Sequence, residues 1–261
     1  MPPGAGSHEG NVTIERVNIL LLDLDDTLLD YSGGVDDCWS ASCTFGCTSG
    51  ALDSATLVSA VAASRRSFWD DPAKNRRERV NMLGAWTKIV AHALETLGRP
   101  DSALAEKVAA EFARRRRERM KLFPDSLACL TAWREAGVRL GMVTNGDASQ
   151  QRDKIERHGL ASFFDVIVIE GEFGAGKPDE AVYRHALRAL GCAPEDACMI
   201  GDHLEFDVEG AQRLGLQGIW IDRLGTGLPA ESSVRPDRII RSLMELDETG
   251  RRKLTPPPAP R

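Results

Sequence analysis

Residues 17–30 read VNILLLDLDDTLLD, an apolar run followed by closely spaced acidic residues. Its first part, 17–22, is a largely apolar run of the length expected for a β-strand buried on both faces. Asp23 and Asp25 follow directly, two positions apart. In an open parallel sheet, ligands bind in the crevice outside the carboxyl ends of the strands. The acidic residues therefore mark the candidate functional edge of a sheet.

Other runs of the same kind follow along the chain, each short, apolar and rich in β-branched residues. They lie at 138–143, 166–170, 197–200, 218–221 and 238–240. Helical patterns separate them, at 126–135, 149–158, 180–190 and 205–214. Strands that alternate with helices predict an α/β fold with a Rossmann-like, doubly wound parallel sheet.

The segment from Gly33 to Leu122 has almost no strand pattern. Helical periodicity predicts helices over 52–64, 77–97 and 102–121. We therefore expect a catalytic α/β core formed by 15–32 and 123–245, with an all-α cap formed by 33–122. A lid over the strand ends is the natural role for such a cap.

The composition of the chain argues against several classes of protein. The chain has 261 residues, of which 42% are hydrophobic and 28% charged, so it can bury a sizeable core. A net charge of -6 argues against nucleic acid or an anionic membrane as the main partner. Apolar runs fall short of the roughly 18 residues of a membrane span, and neither a secretory signal nor a disulfide scaffold is indicated. We expect a cytoplasmic monomer or homodimer with disordered tails at 1–14 and 251–261.

Polar residues follow four of the predicted strands at their carboxyl ends. They are Asp23 and Asp25 after the first, Thr144 and Asn145 after the second, Lys177 after the third, and Asp202 and Asp207 after the fourth. Because these loops converge in a doubly wound sheet, we expect the side chains to share one crevice.

The carboxylates of this set suit phosphoryl chemistry. Asp23 and Asp202, from two strand ends, can hold a hard cation such as Mg²⁺. An aspartate is also a nucleophile toward phosphorus, and Asp25 could act as general acid and then as general base. The donors of Thr144, Asn145 and Lys177 suit the non-bridging oxygens of a phosphoryl group.

Together these groups resemble the four motifs of the haloacid dehalogenase superfamily of hydrolases, most of which are phosphatases. The motifs are DLDDT at 23–27, the threonine of VTNG at 143–146, Lys-Pro at 177–178 and GDHLEFD at 201–207. The resemblance covers roughly 15–32 and 123–240. The helical insert is similar to the α-helical, C1-type cap of one subclass.

The resemblance implies a role for each residue. Asp23 would be the nucleophile and Asp25 the general acid and base. Mg²⁺ would bind the Asp23 side chain, the Asp25 backbone carbonyl and Asp202, while Asp207 would order metal-bound waters or Lys177.

The resemblance also bears on the substrate. Thr144 and Lys177 would hold the phosphoryl group. Because the dehalogenases of the family generally lack the second acid, Asp25 favours phosphoester chemistry. Phe206 stands where relatives often have asparagine, a minor departure that we expect to affect the shape of the pocket.

The sequence therefore predicts Mg²⁺-dependent hydrolysis of a small phosphorylated metabolite through an aspartyl-phosphate. A phosphomutase and a carbon–halogen hydrolase on the same fold stay open as alternatives. A non-catalytic protein that binds a phosphorylated metabolite is a third alternative, and the physiological substrate is open in every case.

Three further patterns predict little chemistry. Residues 171–177 match the G-x-x-x-x-G-K of a phosphate-binding loop, but Pro178 cannot supply the hydroxyl that binds Mg²⁺ there. The cysteine group Cys38, Cys43 and Cys47 lacks zinc-site spacing and predicts packing residues. The arginine run 114–117 predicts a solvated helix face.

Overall fold

The structure, a computed structural model, describes residues 19–48 and 52–246. Within these residues, the strands are β1 (Ile19–Leu22), β2 (Arg139–Thr144), β3 (Val166–Ile169), β4 (Ala197–Gly201), β5 (Gln217–Ile221) and β6 (Arg238–Ile240). They form one parallel sheet in the order β3-β2-β1-β4-β5-β6. The predicted fold class is confirmed. The two predicted tails, and the predicted start of the first strand, lie outside the described residues.

Strand β1 occupies the centre of the sheet. Leu22, its last residue, is in register with Met142 of β2 and Ile200 of β4. The backbone N–H of Asp23 continues the ladder by donating to the carbonyl of Ile200 at 3.0 Å. The loops that follow the three central strands consequently leave the sheet at one edge.

Side chains of β1 alternate between two hydrophobic clusters, one on each face of the sheet. Leu20 packs with Trp133 and Leu140 on one face, whereas Leu21 packs with Tyr183 and Met199 on the other. Every residue of β1 is buried, as expected for a strand covered by helices on both sides.

Among the described residues, five helices form the insert that follows β1. They are α1 (Val35–Gly46), α2 (Ser54–Trp69), α3 (Pro72–Glu78), α4 (Met82–Thr96) and α5 (Ser102–Arg119). Their apolar faces enclose a separate cluster in which Trp39 stacks on Phe112, with ring centroids 3.7 Å apart. Cys38 and Cys43 are buried in this cluster, so the packing interpretation of these two residues is confirmed.

Two expectations for these helices are wrong. Helix α1 was not predicted, and the helix predicted over 77–97 is broken between α3 and α4. The break has a local cause, because the Asn81 side chain accepts a hydrogen bond from the N–H of Gly84 at 3.1 Å and caps a new helix. Asp71 and Pro72 likewise start α3 ahead of the predicted position.

The remaining helices flank the sheet. They are α6 (Ser126–Glu135), α7 (Ala148–Arg157), α8 (Glu170–Phe173), α9 (Glu180–Leu190) and α10 (Gly210–Gln212). The prediction of one helix over 205–214 is wrong in type, since Leu204–Glu209 forms a π-helical turn before α10. In that turn the Oδ2 atom of Asp207 accepts the N–H of His203 at 2.9 Å, which directs Asp207 inward. Among the described residues, no helix combines the length and the apolar character needed to cross a membrane.

Helix α5 contacts the chain that leaves the sheet after β1. Arg116 is 2% exposed and donates to the backbone carbonyls of Tyr31 and Gly33. The prediction of a solvated arginine face is therefore wrong at this position. Its neighbours Arg114 and Arg117 are half exposed and pair with acidic side chains, as a solvated face requires.

Candidate active site

The centre of the site is an ammonium group between two carboxylates. The Nζ atom of Lys177 lies 2.7 Å from Oδ1 of Asp23 and 2.5 Å from Oδ1 of Asp207. Because all three residues are at most 7% exposed, these contacts are shielded from solvent screening. Asp23 comes from the end of β1, Lys177 from the loop after α8, and Asp207 from the π-helical turn.

The loop that carries Lys177 is held by Asn145. The Asn145 Oδ1 atom accepts the backbone N–H of Lys177 at 2.7 Å, and its Nδ2 donates to the carbonyl of the same residue at 2.8 Å. An asparagine after β2 thereby fixes the backbone from which the lysine reaches the nucleophile candidate. The sequence did not indicate this positioning role of Asn145, whose predicted phosphate contact stays a prediction.

The three carboxylates of the site repel one another. One oxygen each of Asp23, Asp202 and Asp207 lies within 4.8 Å of the others. Burial raises the pKa of Asp202, and the neighbouring charges of Asp207 and Asp23 raise it further. Burial likewise raises the pKa of Asp23, although the Lys177 ammonium opposes that shift.

Lysine 177 keeps its charge in this surrounding. Burial lowers its pKa, but the Asp207 and Asp23 carboxylates raise it by more, so that it lies above the ordinary lysine range. When ionised, the three carboxylates carry more negative charge than the one ammonium offsets. Carboxylate oxygens gathered in this way form a donor set that fits a hard divalent cation such as Mg²⁺.

The acid predicted as the proton carrier lies apart from this cluster. The Asp25 carboxylate accepts two hydrogen bonds from Lys154 Nζ, at 2.7 and 2.9 Å, and one from Gln151 Nε2 at 3.1 Å. The same Gln151 nitrogen donates to Thr144 Oγ1 at 2.7 Å. Thr144 and Asp25 therefore meet through one amide group.

Lys154 and Gln151 were missed by the sequence reasoning. They lie on α7, three residues apart, and share its buried face with Ile155. A lysine and a glutamine at positions where an amphipathic helix places apolar residues are the signal that could have found them.

A second missed contact joins the helical insert to the sheet. The Arg79 guanidinium, just after α3, donates to Glu170 at 2.7 and 2.8 Å, and Glu170 also accepts the N–H of Gly146 at 2.9 Å. Arg79 further approaches the carbonyl of Lys177 at 3.4 Å. The insert is thus tied to the loop that carries the site lysine.

Two open cavities are lined by residues of the candidate site, one by Asp202 of the carboxylate cluster and the other by Lys154. One, of about 470 Å³, is lined by Asp26, Ser32, Asp202 and Trp220 among others. The other, of about 360 Å³, lies between Trp86 of the insert and Lys154 of α7. Both are of a size that suits a small ligand.

The chain is similar in sequence to proteins that are named as phosphatases. The chain is 38% identical over 170 residues to the phosphoserine phosphatase of Thermus thermophilus, which is 63% of this chain and 66% of the relative. It is 40% identical over 154 residues to the N-acylneuraminate-9-phosphatase of Rattus norvegicus, which is 58% of this chain and 61% of the relative. The matched parts thus span less than two thirds of these relatives.

Solved structures and a family model extend the comparison over the chain. The YfnB protein of Bacillus subtilis superposes with a TM-score of 0.65 at 21% identity, covering 88% of this chain and 97% of that protein. The 2-haloacid dehalogenase of Pseudomonas syringae gives a TM-score of 0.61 at 27% identity, with 88% and 96% covered. The family model for haloacid dehalogenase-like hydrolases matches residues 17–215. The chain therefore belongs to the haloacid dehalogenase-like hydrolase family.

Proposed function

We propose that this protein is a Mg²⁺-dependent phosphatase that hydrolyses a small phosphomonoester through an aspartyl-phosphate. The observation that carries the proposal is the contact between Asp23 and Lys177 inside a cluster of three carboxylates at the strand ends. Relatives named as phosphatases support phosphoester hydrolysis as the reaction class.

In the first step, a carboxylate oxygen of Asp23 attacks phosphorus while the bond from phosphorus to the leaving oxygen breaks. Asp25 gives its proton to that leaving oxygen. In the second step, a water molecule attacks the phosphorus of the aspartyl-phosphate, the bond from phosphorus to the Asp23 oxygen breaks, and Asp25 takes one proton of that water. Inorganic phosphate leaves, and both carboxylates return to their starting forms.

The phosphoryl group would be held by donors around the nucleophile. Lys177 and the Thr144 hydroxyl offset the negative charge that its non-bridging oxygens carry. Asn145 completes this set and keeps the Lys177 backbone in place.

The carboxylates of Asp23 and Asp202 and the backbone carbonyl of Asp25 would hold Mg²⁺, with Asp207 beside them. The bound ion would supply positive charge that stabilises the phosphoryl oxygens. The fit rests on the close approach of three carboxylate oxygens and on their excess of negative charge.

The substrate would be a small phosphorylated metabolite. The relatives act, by their names, on phosphoserine, on N-acylneuraminate 9-phosphate and on glyceraldehyde 3-phosphate. These compounds form the first set to test. The helical insert would close over the strand ends, exclude bulk water and select the leaving group. A cytoplasmic location and a monomeric or homodimeric state are parts of the proposal that rest on the sequence.

The alternatives differ in what they release. A phosphomutase would return a phosphorylated isomer without free phosphate, a carbon–halogen hydrolase would release halide, and a binding protein would release neither. Asp25 favours the phosphatase over the halide reaction, because an alcohol leaving group needs a proton and a halide does not.

The test measures phosphate release from 4-nitrophenyl phosphate and from the three metabolites, with Mg²⁺ and with a chelator. We expect turnover that needs Mg²⁺ and that is lost in Asp23→Asn. Asp196→Asn is the matched control, because this exposed aspartate lies ahead of β4, at the opposite edge of the sheet. Activity that survives in Asp23→Asn would overturn the proposal.

A further inference from the structure

We propose that Lys154 and Gln151 are positioning residues, which hold Asp25 in place for proton transfer and couple it to Thr144. This inference rests on the proposed function, in which Asp25 carries the proton. It adds two residues of α7 to the machinery, beyond the four motifs that identify the family.

Burial of the Lys154 ammonium group is unfavourable unless polar partners compensate for its lost hydration. Its side chain is 3% exposed, and removing an ammonium group from water is strongly unfavourable without partners. The partners are both oxygens of Asp25, the Oε1 atom of Gln151 at 2.6 Å, and the ring of Tyr31, whose centroid lies 4.3 Å from Nζ. All of these contacts hold the Lys154 ammonium next to Asp25 or next to the residues around Asp25.

Gln151 links the acid to the phosphate-binding side of the site. Its Nε2 atom donates to Oδ2 of Asp25 and to Oγ1 of Thr144, and its own Oε1 is held by Lys154. Gln151 is 2% exposed, and both the nitrogen and the oxygen of its amide group are hydrogen-bonded. The amide group therefore sets the separation between Asp25 and Thr144. A displacement of Asp25 or of Thr144 is therefore transmitted to the other residue through the amide group of Gln151.

The consequence concerns the leaving group. Asp25 is 23% exposed, so without these partners its carboxylate would be free to rotate toward water. An alcohol leaves from phosphorus only when a proton reaches its oxygen, and that transfer requires an acid fixed in direction. A nitrophenolate leaves without that proton. Loss of the positioning contacts should therefore slow alkyl esters much more than activated aryl esters.

The experiment compares Lys154→Met, Gln151→Met and Lys154→Arg with the wild-type protein on two substrates. One substrate is 4-nitrophenyl phosphate, and the other is the alkyl phosphate that the wild type hydrolyses fastest. For Lys154→Met we expect kcat on the alkyl ester to fall by about 10- to 100-fold, a part of what general acid–base catalysis supplies. We expect a change of less than about threefold on the aryl ester and little change in KM, since in this proposal both residues act through Asp25 and Thr144.

Two controls separate positioning from a structural role. Lys154→Arg keeps the cation and should recover part of the loss, and Lys107→Met makes the same substitution at an exposed site of α5 and should behave as wild type. In an Asp25→Asn background, Lys154→Met should cause no further loss in single turnover, because a residue that acts through Asp25 has nothing left to act on. If Lys154→Met does not fold, Gln151→Met carries the same test with the charge retained.

The outcomes are distinct. An equal loss on both substrates, or an additive loss in the Asp25→Asn background, would overturn the positioning role and leave the proposed function intact. A wild-type protein without phosphatase activity would overturn the proposed function and this inference with it.

Discussion

The Nζ atom of Lys177 lies 2.7 Å from Oδ1 of Asp23, although 154 residues separate the two in the chain. The parallel register of β1 with β2 and β4 brings the strand ends to one edge, and Asn145 then fixes the backbone of the lysine. The contact is a product of the topology, and the proposed chemistry depends on it.

Removal of this ammonium group should abolish most of the activity. In Lys177→Met the phosphoryl oxygens lose their main protein cation, and Asp23 and Asp207 face each other without compensation. We expect kcat to fall by at least about 100-fold, the size of effect seen when a preorganised charge-stabilising donor is removed. Phosphate-release assays measure this, with Lys107→Met as the control. A loss of less than about threefold would contradict the assigned role of the lysine.

Loss of the contact between Arg79 of the helical insert and Glu170 should lower kcat/KM. Arg79→Ala removes the guanidinium that binds Glu170 and leaves that buried carboxylate without its cation. Truncating one partner of a buried charge pair across an interface costs about 2–5 kcal/mol, so we expect kcat/KM to fall at least about tenfold.

Arg77→Ala is the matched control for Arg79. It changes an exposed arginine two positions earlier, whose contact is to Glu78 within the insert. Equal kinetics for the two variants would show that the Arg79 contact does not support the closed site.

A side chain at position 201 larger than that of glycine should disturb the geometry of the carboxylate cluster. A Cβ atom at Gly201 would overlap the carboxyl group of Asp207, which Lys177 and His203 hold in place. Gly201→Ala should therefore displace Asp207 and weaken Mg²⁺ binding. Mg²⁺ should raise the melting temperature of the wild type and have a much smaller effect on the variant. An equal increase in both proteins would refute the predicted displacement.

Asp125 should make folding stability depend on pH. Its Oδ2 atom accepts hydrogen bonds from Arg223 at 2.6 Å, Ser242 at 2.6 Å and the Leu243 N–H at 2.8 Å. Burial raises the pKa of this carboxyl, but the hydrogen bonds and the Arg223 charge lower it by more, so the pKa lies below its usual range. The carboxylate therefore stabilises the fold above the unfolded pKa of about 4, and this contribution is lost as the pH falls through the folded pKa.

Asp125→Asn should accordingly cost about 2–4 kcal/mol in unfolding free energy near pH 7, and the difference from wild type should shrink at pH values below about 4. Urea unfolding at pH 7 and pH 3 measures both values. Glu180→Gln serves as control, because the exposed pair of Glu180 with Arg184 contributes little. A difference that is the same at both pH values would contradict the role of the charge.

Most of the strands could be predicted because each contains a short apolar run bounded by turn residues. Strand β6, in which Arg238 precedes two isoleucines, has the weakest such run. The site residues at the strand ends followed from the same reasoning, since a parallel sheet gathers its carboxyl ends. The break at Asn81 and the π-helical turn before Gly210 were not predictable, because each depends on a hydrogen bond that competes with the helix pattern. Lys154 was missed for a related reason, since its burial depends on partners that only the folded chain supplies.

The most direct measurement is to stop the reaction with acid during turnover and to locate the phosphoryl group by mass spectrometry of the digested protein. Asp23 as nucleophile predicts a phosphoryl group on Asp23 in the wild type, formed only with Mg²⁺, and none on that peptide in Asp23→Asn. A protein that releases phosphate while its phosphoryl group is found on another residue, or with unchanged turnover in Asp23→Asn, would contradict the central role given to this aspartate.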